Sequence, residues 1–242
     1  MTENKPNVSL FFPVFRDERT VRRVAEKALA VLGDVANEYE VVIVNDGSPD
    51  RAGEIADELA REHPCISVVH HERNLGYGAA VTSGLRKVKY EWICFTDGDD
   101  EYDVNDLRKL IALKDYYDLI ITFRYAKIYS LDRQFISWVY NSLLRQVFRT
   151  RFRDISTGLK LIRKSLADQI TCQSNSPFIG AELTIKAMLK GYRVGEVGIQ
   201  TYPREFGKGA STTPANILAT MKDLRRVYKT IFSTGYDRPL GK

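Results

Sequence analysis

Trp92-Ile93-Cys94-Phe95-Thr96-Asp97-Gly98-Asp99-Asp100-Glu101 is an apolar run that turns into a cluster of carboxylates within two residues. Aromatic and β-branched side chains suit a buried strand, whereas carboxylates need water, hydrogen-bond donors or a cation. The change marks the carboxyl end of a buried strand, where open α/β sheets bind ligands. Gly98 permits a turn tight enough for Asp97 and Asp99 to converge. Hard cations such as Mg2+ and Mn2+ take oxygen ligands and bridge to phosphates, so one expectation is a divalent metal holding a diphosphate. The alternative is a solvated acidic turn that caps the following helix.

Working outward toward the N-terminus, three more strands precede this one. Val8 to Pro13 is an apolar run closed by proline, Tyr39 to Val44 is near-continuously apolar as parallel strands tend to be, and Ile66 to His70 is a third. Between them, Glu18 to Gly33, Arg51 to Glu62 and a stretch from the Asn74–Ala80 loop to about Lys87 read as helices, the first carrying Val21, Val24, Ala25, Ala28, Leu29 and Leu32 at helical spacing. Four strand–helix units in succession predict a right-handed, mostly parallel α/β arrangement. Asp17, Asp46 and the Asp97/Asp99 pair each follow an apolar strand, so all should lie along one sheet edge. With the loop containing Gly76 and Gly78 they outline a polar crevice of nucleotide size. For Asp17 and Asp46 helix N-capping is the competing role.

The second half reads as a helix from Val104 to Leu113, a strand from Asp118 to Phe123 ending at Arg124, and a long helix from Leu131 to Phe152. That segment mixes Phe135, Ile136, Trp138, Val139, Leu143, Leu144, Val147 and Phe148 with Arg133, Arg145, Arg149, Arg151 and the adjoining Arg153. Two readings stand: a helix lying in a membrane surface, or a helix packed on the sheet with its arginines solvated. Asp154 to Ile162 is a polar turn entering a strand, Pro177 to Lys190 a helix with Glu182 near its first turn, and Arg193–Val197 and Ile199–Tyr202 two further strands. Tyr202 to Ser211 is a basic loop whose Arg204 and Lys208 suit a diphosphate; Pro214 to Phe232 is a terminal helix and Gly235 to Lys242 a tail. His70 and His71 read as strand-end surface residues.

Composition narrows the class. At 242 residues, 44% of them apolar, the chain has enough material for one large core. A net charge of +5 suits anionic ligands or a membrane surface as well as nucleic acid; the basic residues lie on no obvious reading helix, so a nucleic-acid module is not expected. Cys65, Cys94 and Cys172 lack Cys-x-x-Cys spacing and read as reduced thiols in a cytoplasmic setting. Met1 to Asn7 has no apolar signal core, and no run is long enough to span a bilayer.

The ordered set of motifs resembles the inverting glycosyltransferases of family 2, and within them the polyprenyl-phosphate glycosyltransferases such as the dolichol-phosphate mannose synthases. The resemblance runs from about Val8 to Ser211. Pro13-Val14-Phe15-Arg16-Asp17 stands where the family has Pro-x-Tyr-Asn-Glu, Val44-Asn45-Asp46-Gly47-Ser48-Pro49-Asp50 fits Val-Asp-Asp-Gly/Asn-Ser-x-Asp, and Arg73 to Ala79 fits Arg-Asn-x-Gly-x-Gly-x. Asp97-Gly98-Asp99-Asp100-Glu101 fits Asp-Ala-Asp-Leu-Gln, with Glu101 in place of glutamine. Arg124 matches the arginine closing a Gly-Ser-Arg motif, Arg133 and Ser137 match an acceptor-phosphate pair, and Asp154 to Lys160 matches Asp-x-Thr-Ser-Gly-Phe-Arg.

The resemblance implies an α/β domain of GT-A (Rossmann-like) fold over residues 1–211, a mostly parallel central sheet flanked by helices, with residues 212–242 as a C-terminal helix and tail. It implies Mg2+ or Mn2+ on Asp99 and Glu101. The nucleotide-sugar donor would meet Pro13, Phe15, Asp17, Val44, Asp46 (on the base), Asp97, Gly98, Arg204 and Lys208; Asp99, Arg124, Arg133 and Ser137 would carry the chemistry on a polyprenyl phosphate acceptor. A polyprenyl phosphate is already an anionic nucleophile, so it needs alignment and a stabilised leaving group rather than a base. A hydroxyl acceptor would need one, and Glu182 is then the candidate. The rival expectations are a family 2 enzyme that extends a saccharide, and a non-catalytic nucleotide-sugar binder. The lipid would be reached through residues 131–152 and the terminal helix, from the cytoplasmic membrane face, or through a membrane partner protein.

Overall fold

The computed structural model describes residues 5–125, 131–206 and 213–233. Lys208 and the tail from residue 234 therefore lie outside the described residues. The elements in order are β1 (Val8–Val14), α1 (Val21–Val35), β2 (Tyr39–Asn45), α2 (Ala52–Glu62), β3 (Ile66–His70), α3 (Tyr77–Lys87), β4 (Trp92–Phe95), α4 (Leu107–Ile111), β5 (Leu119–Arg124), α5 (Leu131–Phe148), β6 (Lys160–Arg163), α6 (Lys164–Ala167), α7 (Ile179–Leu189), β7 (Val194–Ile199) and α8 (Pro214–Ser233). A single 3-10 turn, Val104–Asp106, leads into α4.

The strands form one seven-stranded sheet in the order β3-β2-β1-β4-β6-β5-β7. β1 pairs in parallel with β2 and β4, β2 with β3, and β5 with β7. β6 alone is antiparallel, on both sides. β1 and β4 are buried along their whole length because helices cover both faces. One core layer joins Leu10, Phe12, Val41 and Ile43 to the apolar stripe of α1. The other packs Phe11, Val42, Ile93 and Phe95 against α3 and α7.

Two of the departures from the sequence reading have a plain physical cause. The residues read as two strands, 193–197 and 199–202, are one strand, because Gly198 stays in register opposite Phe123 and no turn intervenes; only Thr201 continues, as an isolated bridge to Tyr102. The long helix stops at Phe148, since Arg149 takes a left-handed φ of 54°.

The topology decides where chemistry can occur. The chain leaves β1 toward β2 on one side, and β4 pairs on the other, so the β1/β4 junction is the switch point at which α/β sheets form a crevice. The ends of β1, β2, β4, β5 and β7 open on one edge. The antiparallel β6 places its start there too, since Lys160 pairs with Phe95 and Ile121. The loop before Lys160 is thereby delivered to the same edge as Asp97 and Arg124.

Candidate active site

The acidic turn after β4 divides its carboxylates between two tasks. Asp100 has a left-handed φ of 60° and turns away from the crevice onto α1, where Lys27 donates to both its oxygens at 2.9 Å and Arg23 Nε lies at 2.8 Å. Asp97, Asp99 and Glu101 take other partners, although Asp99 lines the same hollow as Asp100. Asp99 Oδ1 accepts the Glu101 amide at 3.0 Å, which fixes the turn. The Arg204 guanidinium bridges Asp99 and Glu101, with Nη2 on Asp99 and Nε 3.4 Å from Glu101 Oε1. Burial, then the charge of Asp99, pushes the Asp97 carboxyl up to about 7, against the bond it accepts from the Tyr77 hydroxyl at 2.7 Å. Among the described residues no three His, Cys, Asp or Glu side chains form a ready metal cage. Two carboxylates around a guanidinium still form an oxygen-donor set for a hard cation that takes its other ligands from phosphate and water.

At the end of β1, the Asp17 side chain does not cap α1. It accepts the Phe15 amide at 3.0 Å, and burial is the main cause lifting its pKa to about 6. Arg16 between them holds a φ of 63°, a left-handed conformation that asparagine tolerates better than arginine. Phe15 is partly exposed beneath the Arg16 guanidinium, 5.3 Å from the ring centroid. A cleft of about 390 Å³ opens here between Arg16, Asp17, Arg19, Asp50 and Phe206. A second hollow of about 230 Å³ adjoins Asp99, Asp103 and Tyr202. Pro13, Val44 and Gly98 are buried at the strand ends and shape the floor.

Asp46 does not cap α2, and its two oxygens are engaged. Oδ1 accepts the Leu75 amide at 2.9 Å and meets His71 Nδ1 at 2.7 Å; Oδ2 accepts the Gly76 amide at 3.0 Å. It ties the glycine loop down rather than facing open space. His71 is not a surface residue: its side chain is buried between Asp46 and Ser83. His70 is exposed as expected, on Asp57. Gly78 is there for contact, because a Cβ would lie 2.2 Å from Ser174 O, and its amide donates to Asn175 O at 2.9 Å. The Leu75, Gly76 and Gly78 amides of this loop are therefore spent inside the protein.

Across the crevice, Arg124 at the end of β5 grips Asp154 Oδ2 through Nε at 2.7 Å and Nη2 at 2.6 Å. The 154–158 loop is anchored at several points. Asn141 of α5 accepts the Ile155 amide at 3.2 Å and donates to Ser137 O at 2.9 Å. Thr157 Oγ1 donates to Thr122 O at 2.7 Å. Gly158 lies against Asp97, where a Cβ would be 2.2 Å from Oδ2. One loop thus joins Arg124 and Ser137 to Asp97. Arg133 is one turn from Ser137 on α5; its side chain lies outside the described residues. Lys160, fully buried, donates to Ile155 O at 2.9 Å, and burial lowers its pKa to about 7.

Glu182 sits elsewhere. It is fully buried on α7, accepts the Gln173 amide at 2.9 Å and the Ser174 amide at 2.9 Å, and pairs with Lys186. It is a structural ion pair and is not placed to serve as a base. Sequence reasoning did not find Tyr77, His71 or Lys160 as site-supporting residues; Tyr77 and Lys160 each lie inside a motif, which was the available signal.

The family model of Glycosyl transferase family 2 matches residues 9–171, and the chain belongs to that family. It is 26% identical over 205 residues to the dodecaprenyl-phosphate galacturonate synthase of Rhizobium johnstonii, a match covering 83% of this chain and 60% of the relative. It is 26% identical over 209 residues to the undecaprenyl-phosphate 4-deoxy-4-formamido-L-arabinose transferase of Photorhabdus laumondii, covering 85% and 63%. The chain therefore spans less than two thirds of either relative. Among solved structures, the glucosyl-3-phosphoglycerate synthase from Mycobacterium tuberculosis, in complex with Mn2+, UDP and phosphoglyceric acid, superposes with a TM-score of 0.74 at 14% identity, covering 92% of this chain and 78% of that one. The fold is GT-A.

Proposed function

We propose that the protein transfers a sugar from a nucleotide-diphosphate sugar to a polyprenyl phosphate with inversion. The observation that carries this reading is the 154–158 loop. It binds Arg124 through Asp154 at one end and presses Gly158 on Asp97 at the other, so the residues proposed for the acceptor anion and for the donor would share one support. Phe15, Asp17 and Asp97 would receive the nucleoside, with Asp46 holding the loop beside them. Arg204, and Lys208 outside the described residues, would receive the diphosphate. Asp99 and Glu101 would hold Mg2+ or Mn2+, which when bound offsets the charge on the departing diphosphate. Arg124, Arg133 and Ser137 would align the acceptor phosphate through charge-assisted hydrogen bonds. A phosphate acceptor needs no base, which agrees with a Glu182 committed to Lys186.

The lipid would be met at the protein surface. No described helix is long and apolar enough to cross a membrane. The first half of α5 instead leaves Leu131 82% and Trp138 60% exposed, with Phe135 stacked on Trp138, and α8 exposes Leu218 and Met221. Leu144 and Phe148 of α5 are buried, and Phe148 meets Tyr228 of α8, so the second half of α5 is packed while the first half would be the interfacial part. Such a face suits a membrane surface. The test is transfer from UDP- and GDP-sugars to undecaprenyl or dolichyl phosphate, followed by mass spectrometry, with soluble saccharides offered in parallel. Transfer to saccharides and none to either lipid phosphate would refute the proposal. Co-sedimentation with anionic liposomes, expected to be lost in Leu131→Ser/Trp138→Ser, checks the membrane face.

A further inference from the structure

Residues 201–206 form a strap fastened across the acidic turn. Thr201 bridges to Tyr102, and the Tyr202 amide donates to Glu101 O at 3.0 Å. Glu205 pairs with Arg23 at 2.7 Å, and Phe206 lies 5.2 Å from the Arg19 guanidinium. At the middle of the strap, Arg204 reaches into the crevice and bridges Asp99 and Glu101, whose side chains are only 11% and 7% exposed. These are the two carboxylates proposed for the metal.

We infer that Arg204 is an internal stand-in for that cation: it holds Asp99 and Glu101 together until metal and donor arrive, then passes to the diphosphate. The inference rests on the metal reading of the proposed function. Two carboxylates so little exposed and so close repel unless a positive group lies between them. The planar guanidinium supplies that charge without a metal. A cation at oxygen-ligand distance needs the same oxygens and so excludes the guanidinium. Arg204 is 24% exposed and sits on a loop rather than in a helix or strand, so it has somewhere to go. A diphosphate offers a new partner for the fork. Metal and nucleoside diphosphate then assist one another's binding, because each removes part of what opposes the other, and such coupling is reciprocal. Arg204 would thus set the interdependence of the two ligands as well as contact one of them.

The experiment measures Mn2+ binding directly, without turnover, by the electron paramagnetic resonance signal of free Mn2+ and by thermal melting. The proteins are the full chain, Arg204→Gln, Arg204→Lys and Asp99→Asn; the probes are MnCl2 alone and MnCl2 with UDP or GDP. Arg204→Gln should bind Mn2+ alone about tenfold more tightly than the wild type, the usual scale of such coupling, and gain more in Tm from it. Arg204→Lys should fall between the two, and the benefit of UDP or GDP should shrink in Arg204→Gln. If the wild type binds Mn2+ with nucleotide but Arg204→Gln binds Mn2+ alone no better, the metal reading stands and the stand-in is refuted. If none of the proteins binds Mn2+ under any condition, or Asp99→Asn leaves binding unchanged, the metal reading fails and the inference with it.

Discussion

Lys160 is the residue whose removal has the most calculable consequence. It is fully buried at the start of β6, its ammonium on Ile155 O at 2.9 Å and 3.5 Å from Thr184 Oγ1. Burial lowers its pKa to about 7, against the opposing charges of Asp154, Asp97 and Glu196. In the unfolded chain a lysine titrates near 10.4. Between about pH 7 and pH 10 the unfolded chain therefore binds more protons than the folded one, and stability rises with pH. The limiting slope is about 1.4 kcal/mol per pH unit, so from about pH 7 to pH 9 this residue alone adds ~2–3 kcal/mol. Below about pH 7 both states carry the charge and the penalty of burying it is constant. Lys160→Met keeps a long flexible stem and removes the titration; the unpartnered Ile155 carbonyl it leaves costs ~1–3 kcal/mol at every pH. Urea unfolding of both proteins at the two pH values isolates the effect, because all other groups titrate in each. The advantage of methionine over lysine should be ~2–3 kcal/mol greater at about pH 7 than at pH 9. A difference between the two proteins that is constant within about 0.5 kcal/mol would refute the reasoning, since the buried amine would then hold its proton across the whole range.

Three further substitutions separate structural from chemical roles. Glu182→Gln breaks the buried pair with Lys186 and should cost about 3–5 kcal/mol in urea unfolding, while kcat with polyprenyl phosphate, measured where the variant is folded, should stay within about twofold; the 10²–10⁴-fold loss expected on removing a general base would restore Glu182 as a catalyst. Gly158→Ala places a methyl 2.2 Å from Asp97 Oδ2 and should lower kcat/KM about 100-fold, the scale of an ångström misplacement, with an unchanged circular dichroism spectrum. Arg16→Asn relieves the left-handed backbone at φ 63° and should stabilise the protein by about 0.5–1 kcal/mol in the same urea assay.

The fold was legible where its logic is local. β1, β2 and β4 declare themselves because strands covered on both faces are runs of apolar residues, and the carboxylates that follow β1 and β4 mark the shared edge. The C-terminal half was less so. Nothing in Lys160–Arg163 says that β6 inserts between β4 and β5 against the direction of the others, yet that insertion carries the 154–158 loop to Asp97. The breadth of the site depends on it. His71 was read as a surface residue, and the partners of Asp46 and Glu182 were not foreseen, for the same reason: a carboxylate or imidazole next to a strand or helix end looks alike in sequence whether it faces a cleft or closes a loop. Only the partners, Leu75, Gly76 and Ser83 in one case and Gln173, Ser174 and Lys186 in another, distinguish the two.

The charge balance of the acidic turn then accounts for a departure visible in the motif itself. Where the resemblance leads one to expect glutamine, position 101 is glutamate, which adds a negative charge beside Asp97 and Asp99. Carboxylates this close repel one another unless positive charge lies among them. The structure relieves this in two ways. Asp97 is pushed up to about 7 by burial and by its neighbours, and Arg204 bridges the other two. Burial alone would lower the Arg204 pKa, but Asp99 and Glu101 hold it above its ordinary value, so its charge persists in the crevice. Glu101 and Arg204 are therefore best understood as a matched pair: the guanidinium compensates the negative charge that the extra carboxylate adds to the turn.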